Sequence, residues 1–165
     1  MKRNLALALV AATLAIVPAA FGDNSTLGVT VAPEATFTAV DATTTLSKGD
    51  TTFGAYGGTT NFTYKIRTTL SGGTGSITVA VTTFSGSGAP SIGDLSYTCT
   101  APTSGTPCGS STGASTSATS VVAFGADAHS GDTGDSGTAV WTLVDRTIVK
   151  TGAHSSTATF TVSAT

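Results

Sequence analysis

Charge is what this sequence has least of. Asp, Glu, Lys and Arg make up 10% of the 165 residues, against about 25% in an average soluble protein. Glu34 is the one glutamate, and runs of Glu, Lys, Gln or Leu are almost missing. A helical architecture built on strong helix formers is thereby excluded. The few Lys and Arg residues are scattered. They offer no basic patch for nucleic acid, whose binding depends on cations meeting phosphates. Two cysteines, Cys99 and Cys108, lie outside any C-x-x-C pattern and have no histidine nearby, which leaves no redox or zinc motif. With one glutamate and two histidines, no carboxylate pair or acid/base set can be argued from spacing.

What is abundant is threonine, roughly one residue in five, with 20 glycines as punctuation. Threonine joins a β-branched Cβ that suits extended backbone to a hydroxyl that suits water. Mean hydropathy is positive, +0.26, and several aromatic-bearing runs alternate, so the composition is that of an all-β chain and not of a disordered one. The chain starts with Lys2 and Arg3, an apolar run from Leu5 to Val17, then Pro18 and the small residues Ala20 and Gly22. That three-part layout predicts a secretory signal peptide over residues 1–22, too short to span a membrane comfortably, and an exported protein, secreted or at the cell surface, with no membrane anchorage after cleavage. Residues 23–165 then form a single domain with five basic against nine acidic residues, a formal charge of −4.

Period-two alternation locates the strands. In NFTYKIRTTL (61–70), Phe62, Tyr64 and Ile66 share one face; in ITVAVTTF (77–84), Ile77, Val79 and Val81 do. The turn SGGTGS between them predicts a hairpin. Further strands are expected at LGVTVA (27–32), ATFTAV (35–40), LSYTCT (95–100), SVVAF (120–124), TAVWTLVD (138–145) and STATFTVSAT (156–165). Eight or nine short strands without a helical period predict an antiparallel β-sandwich, immunoglobulin-like or jelly-roll. Its expected core is Phe62, Tyr64, Ile66, Ile77, Val79, Val81, Phe124, Trp141, Leu143, Phe160 and Val162. The stretch 102–119, rich in Ser, Thr and Gly, reads as a long exposed loop. Cys99 and Cys108 close a short ring, and in an exported chain they are expected to form a disulfide that staples this loop.

The segment GDTGDSGTAVW (131–141) contains GDSG, the letters around the nucleophilic serine of chymotrypsin-like proteases. Such an enzyme brings its histidine and aspartate from distant parts of two barrels. Here His129 lies seven residues from Ser136, His154 sits in another turn, and 143 residues cannot build two barrels, so a surface turn is the expectation and no catalytic residue is assigned. Asp127, Asp132 and Asp135, with Asp145 more remotely, are weak candidates for a calcium loop, because their spacing of five and then three departs from alternate-residue ligation. No other cofactor is indicated. Phe37, Phe53 and Tyr56 fall outside obvious core positions, Phe84 and Tyr97 lie beside loops, and Asn24 and Asn61 sit in N-x-S/T sequons.

Over residues 23–165 the pattern carried by NFTYKIRTTL, TAVWTLVD and ATFTVSAT resembles the secreted immunoglobulin-like surface proteins and pilin-type subunits of bacteria. The resemblance implies a structural subunit whose partners are copies of itself or other surface subunits. In such families a neighbour often donates a strand that completes the sandwich. STLGVTVAPEATFTAV is either such a donor or the first two strands of its own fold. The resulting expectation is a non-enzymatic subunit of an extracellular filament or surface layer. The alternative is a secreted module that recognises a carbohydrate or a surface through the 102–119 and Asp127–Asp135 loops.

Overall fold

The computed structural model describes residues 25–49, 51–100 and 104–165; the expected signal peptide and Asn24 lie outside the described residues. The chain divides into two units, Met1–Thr30 and Val31–Thr165. Residues 25–30 of the first carry no strand. The second is all-β apart from a 3-10 turn at Ile92–Asp94, with ten strands in chain order: β1 (Glu34–Val40), β2 (Ser47–Lys48), β3 (Tyr56–Arg67), β4 (Gly75–Val81), β5 (Leu95–Thr100), β6 (Thr106–Pro107), β7 (Thr112–Gly113), β8 (Thr119–Phe124), β9 (Asp135–Leu143) and β10 (Ala158–Ala164). One sheet has the order β1-β3-β9-β5-β7, with β2 also on β3; the other runs β10-β4-β8-β6, and every pairing is antiparallel.

The sandwich expected from the alternation is therefore present, with seven long strands and three two-residue strands. Three expectations are corrected. The run LGVTVA forms no strand. The runs 61–70 and 77–84 are not a hairpin, because β3 and β4 belong to different sheets and SGGTGS arches from one to the other. Both inward faces then meet across the core instead of lying side by side. The stretch 102–119 is not simply an exposed loop: β6 pairs with β8, β7 pairs with β5, and Ala114 is buried.

Side chains from alternate positions of the two sheets form one core. Phe62, Tyr64, Ile66, Trp141 and Leu143 come from the first sheet and Ile77, Val79, Val81 and Phe124 from the second; all are buried. Phe160 and Val162 are only partly buried and pack against this core from β10. Tyr97 is fully buried, and its one hydroxyl proton is shared between two acceptors, Thr119 Oγ1 at 2.8 Å and the Ser120 carbonyl at 2.9 Å. A register shift opposite Ile77–Thr78 places two consecutive residues, Val121 and Val122, in the interior. Buried Thr68 accepts from the Ala128 N–H and donates to the Gly125 carbonyl, so the polar group is satisfied where it is buried.

Candidate functional site

The GDSG segment is the start of a strand. Gly134, at φ +89°, closes a tight turn in which its N–H donates to the Gly131 carbonyl at 2.8 Å, and β9 begins at Asp135. The Asp135 carboxylate accepts from Ser104 Oγ at 2.6 Å and from the Gly131 N–H at 3.4 Å. Ser136 is exposed and stands opposite Thr63 in register. Gly137 stands opposite Phe62, whose ring lies so close that a Cβ on Gly137 would be 2.5 Å from Cε2. The fourth letter of the motif is thus glycine because an aromatic ring occupies the space above it. Alanine at a strand position is ordinarily worth about 0.5–1 kcal/mol more than glycine, but overpacking costs about 1–3 kcal/mol. Gly137→Ala is therefore expected to destabilise the fold by about 1–2 kcal/mol in a denaturant titration; an unchanged or raised midpoint would remove this account.

Neither histidine bonds to Ser136. His129 Nδ1 donates to the Asp127 carbonyl at 2.9 Å. The His154 ring nitrogens lie 3.2 and 2.9 Å from the carbonyls of Ser85 and Lys150, and Gly86, at φ +106°, leaves room for that ring. His154 therefore pins the 150–155 segment to the 85–88 turn. Among the described residues no three His, Cys, Asp or Glu side chains gather as a metal site. Asp127 adopts φ +57°, Asp135 is engaged as above, and Asp145 accepts from Lys48 Nζ at 2.7 Å. That hydrogen bond, together with the Asp145 charge, holds the Lys48 ammonium above its ordinary pKa. Burial pushes the Tyr64 phenol up to about 12. Glu34 opens β1 and pairs with Arg67 at 3.4 Å. Asn61 is exposed, and its side-chain amide and backbone N–H both donate to Asp41 Oδ2, at 2.8 and 2.7 Å.

The cysteines do form the expected disulfide. Cys99 ends the core-facing series of β5 and Cys108 follows β6, so the bond ties one sheet to the other on the flank closed by β6 and β7. The opposite flank differs. There β1 and β10, seven residues each, end their sheets, and no ladder joins them. The sequence matches no family model, and comparison with curated proteins and with solved structures finds no match.

The main chain of β10 can be assigned side by side. Thr82 N–H donates to the Thr157 carbonyl at 2.9 Å and Thr165 N–H to the Thr74 carbonyl at 2.7 Å, so odd-numbered residues face β4. Antiparallel alternation leaves the N–H and C=O of Ala158, Phe160, Val162 and Ala164 on the free edge. Among the described residues none of these groups has a strand partner on that side. Alternation in the sequence placed the side chains of β10 but carries no information on which strand is last in a sheet.

A groove of about 960 Å³ lies at the end of the sandwich where β1 finishes and β10 starts. Residues 40–46 with Lys48, Phe53 and Tyr56, then Phe84 and Pro90, and most of the segment 144–157 surround it. Of its lining residues, sequence reasoning singles out Phe53, Tyr56, Phe84, Asp145 and His154, assigns Val81, Trp141, Leu143 and Phe160 to the core, and overlooks Lys48, Arg146 and Lys150, whose spacing matches no motif.

Proposed function

We propose that this chain is a non-enzymatic structural subunit of an extracellular filament or cell-surface layer, assembled through β-strand edges. One observation carries the reading: the seven-residue free edge of β10, beside β1, on a sandwich whose other flank is closed by two-residue strands and a disulfide. Long unpaired edges template pairing with another chain, and folds that stay apart blunt them with short strands, charge, proline or cover. Here β10 reads ATFTVSA, without a charge or a proline. A strand for this edge is available in the sequence. The run Leu27–Ala32 alternates Leu27, Val29 and Val31 with small residues yet belongs to no sheet; donated by a second copy, it would supply main-chain bonds to β10 and three apolar side chains. The disulfide fits an oxidising compartment, in keeping with export.

Ala158→Pro tests the reading. The Ala158 N–H points to the free edge, so proline there removes no bond to β4 and sits at the first residue of the strand, where it is tolerated. The parent protein is expected to form filaments or large oligomers by electron microscopy and light scattering. Ala158→Pro is expected to be monomeric while melting within about 3 °C of the parent, and Val29→Asp to have the same effect from the donor side. A parent that stays monomeric at high concentration, or an Ala158→Pro variant that assembles as the parent does, overturns the reading.

A further inference from the structure

We infer that the groove at the 41–56 and 144–157 end of the sandwich binds an acidic oligosaccharide, with Phe53 as the stacking platform and Lys150 as the carboxylate partner. The chemistry left open in the groove selects that class. Its deepest apolar residues are already covered: Val81, Leu95 and Trp141 are each 3–4% exposed. What faces an incoming ligand is a mixed rim: the hydroxyl-bearing Thr43, Thr45 and Thr157, the half-exposed Val40 and Val144, and one strongly exposed aromatic side chain, Phe53, at 59%. A pyranose, with hydroxyls round its rim and an apolar face of C–H groups, matches both features.

The aromatic is held in place. Phe53 adopts φ +54°, a conformation uncommon for a bulky residue, in a turn closed by the Gly54 N–H to Thr51 carbonyl bond at 3.0 Å. The Lys48 ammonium lies 5.3 Å from the Phe53 ring centroid and 5.6 Å from that of Tyr56, and is itself fixed by Asp145. One cation therefore anchors two rings.

The charge distribution supplies the second half. Of the five Lys and Arg residues after residue 22, three line this groove in a chain that is acidic as a whole. Lys48 is committed to Asp145, and Arg146 to Asp94, where Nε and Nη2 share Oδ1 at 3.0 and 2.8 Å. Lys150 is different. Its stem lies against Gly88, which at φ +69° has no Cβ to obstruct it, and its backbone N–H donates to the Gly88 carbonyl at 3.0 Å. Its ammonium has only the Ser87 hydroxyl, at 3.4 Å, and no carboxylate among the described residues. A pinned stem with an uncommitted ammonium at the edge of a groove that mixes hydroxyl and apolar surface is suited to one carboxylate on a sugar. The site is at the opposite end of the sandwich from the Asp127–Asp135 turns, and it needs no self-assembly.

Isothermal titration of the full chain with trimers of galacturonate, glucuronate and mannuronate, and with their neutral methyl esters, tests this. At least one uronate is expected to bind, with its ester binding about tenfold more weakly and with affinity falling as salt rises. Phe53→Ala is expected to weaken the uronate about tenfold. Lys150→Glu is expected to abolish the preference for the acid over its ester. Both positions are surface-exposed in their reacting parts, so unchanged melting curves show that the variants are folded. No binding of any of the three uronates, equal binding of acid and ester, or an unchanged uronate affinity in either variant overturns the inference.

Discussion

Trp141→Ala is expected to lower the melting temperature by about 10–20 °C, the largest effect of any single substitution considered. Trp141 sits two residues from the end of β9 at 4% exposure, with its ring 5.1 Å from that of Tyr97. Its Nε1 donates to Thr60 Oγ1 at 2.9 Å, and Thr60 shares a second bond of 2.6 Å with Thr44 on the segment between β1 and β2. The indole thus fills the core and also links β9 through β3 to that segment. Truncating a large buried aromatic costs about 3–5 kcal/mol, a large part of the stability of a domain this size. Trp141→Phe separates the two contributions, since it keeps most of the volume and loses the donor; it should cost about 1–2 kcal/mol. A Trp141→Ala variant that melts within 3 °C of the parent would show that the core does not depend on this side chain.

The second large effect is expected from opening the disulfide. Changing Cys99 and Cys108 together to alanine removes a cross-link with a sequence separation of nine. On the loop-entropy model this is worth about 2–3 kcal/mol, or roughly 6–12 °C in melting temperature. The loss should be local as well as global. β6 and β7 are only two residues long, and the bond joins their flank across the two sheets, so amide exchange should accelerate over 104–113 while the β3–β9 ladder stays protected. A reductant should lower the melting temperature of the parent to that of the variant and leave the variant unaffected. Identical melting of parent and double variant would show that the bond constrains nothing in the unfolded chain that the fold does not already constrain.

The legible part of this fold is the part written in single-strand alternation. Phe62, Tyr64 and Ile66 on β3, and Ile77, Val79 and Val81 on β4, are inward in the structure as the period-two pattern requires. Pairing is a different quantity. A Gly-rich link such as SGGTGS serves a hairpin or an arch, and nothing in either strand distinguishes the two. The choice of partner depends on β9 and β10, whose residues lie some 70 to 90 positions downstream. Val121 and Val122 illustrate a second limit, since a bulge lets two neighbours point inward and simple alternation allows only one. Tyr97 was misplaced beside a loop because its polar end hid a buried ring whose hydroxyl is met by Thr119 and Ser120. For the candidate site, GDSG is expected as a surface turn, but only Gly134 lies in the turn; Asp135, Ser136 and Gly137 already pair with β3, because the strand starts before its apolar alternation does. The groove was not visible, because Lys48, Phe53, Asp145 and Lys150 come from separate loops that only the closed sandwich brings to one end.

The two flanks of the sandwich set the valence of any assembly made through its edges. Glu34, where β1 begins, pairs with Arg67 beside the arch between the sheets, whereas Ala158, where β10 begins, pairs with Val81 at the far end. Two copies joined symmetrically, β10 against β10, would exhaust each other's acceptor and stop as a dimer. A copy that offers its leading run and receives another's on β10 keeps one unused donor and one unused acceptor, so each addition regenerates the site for the next and the array grows with a fixed polarity.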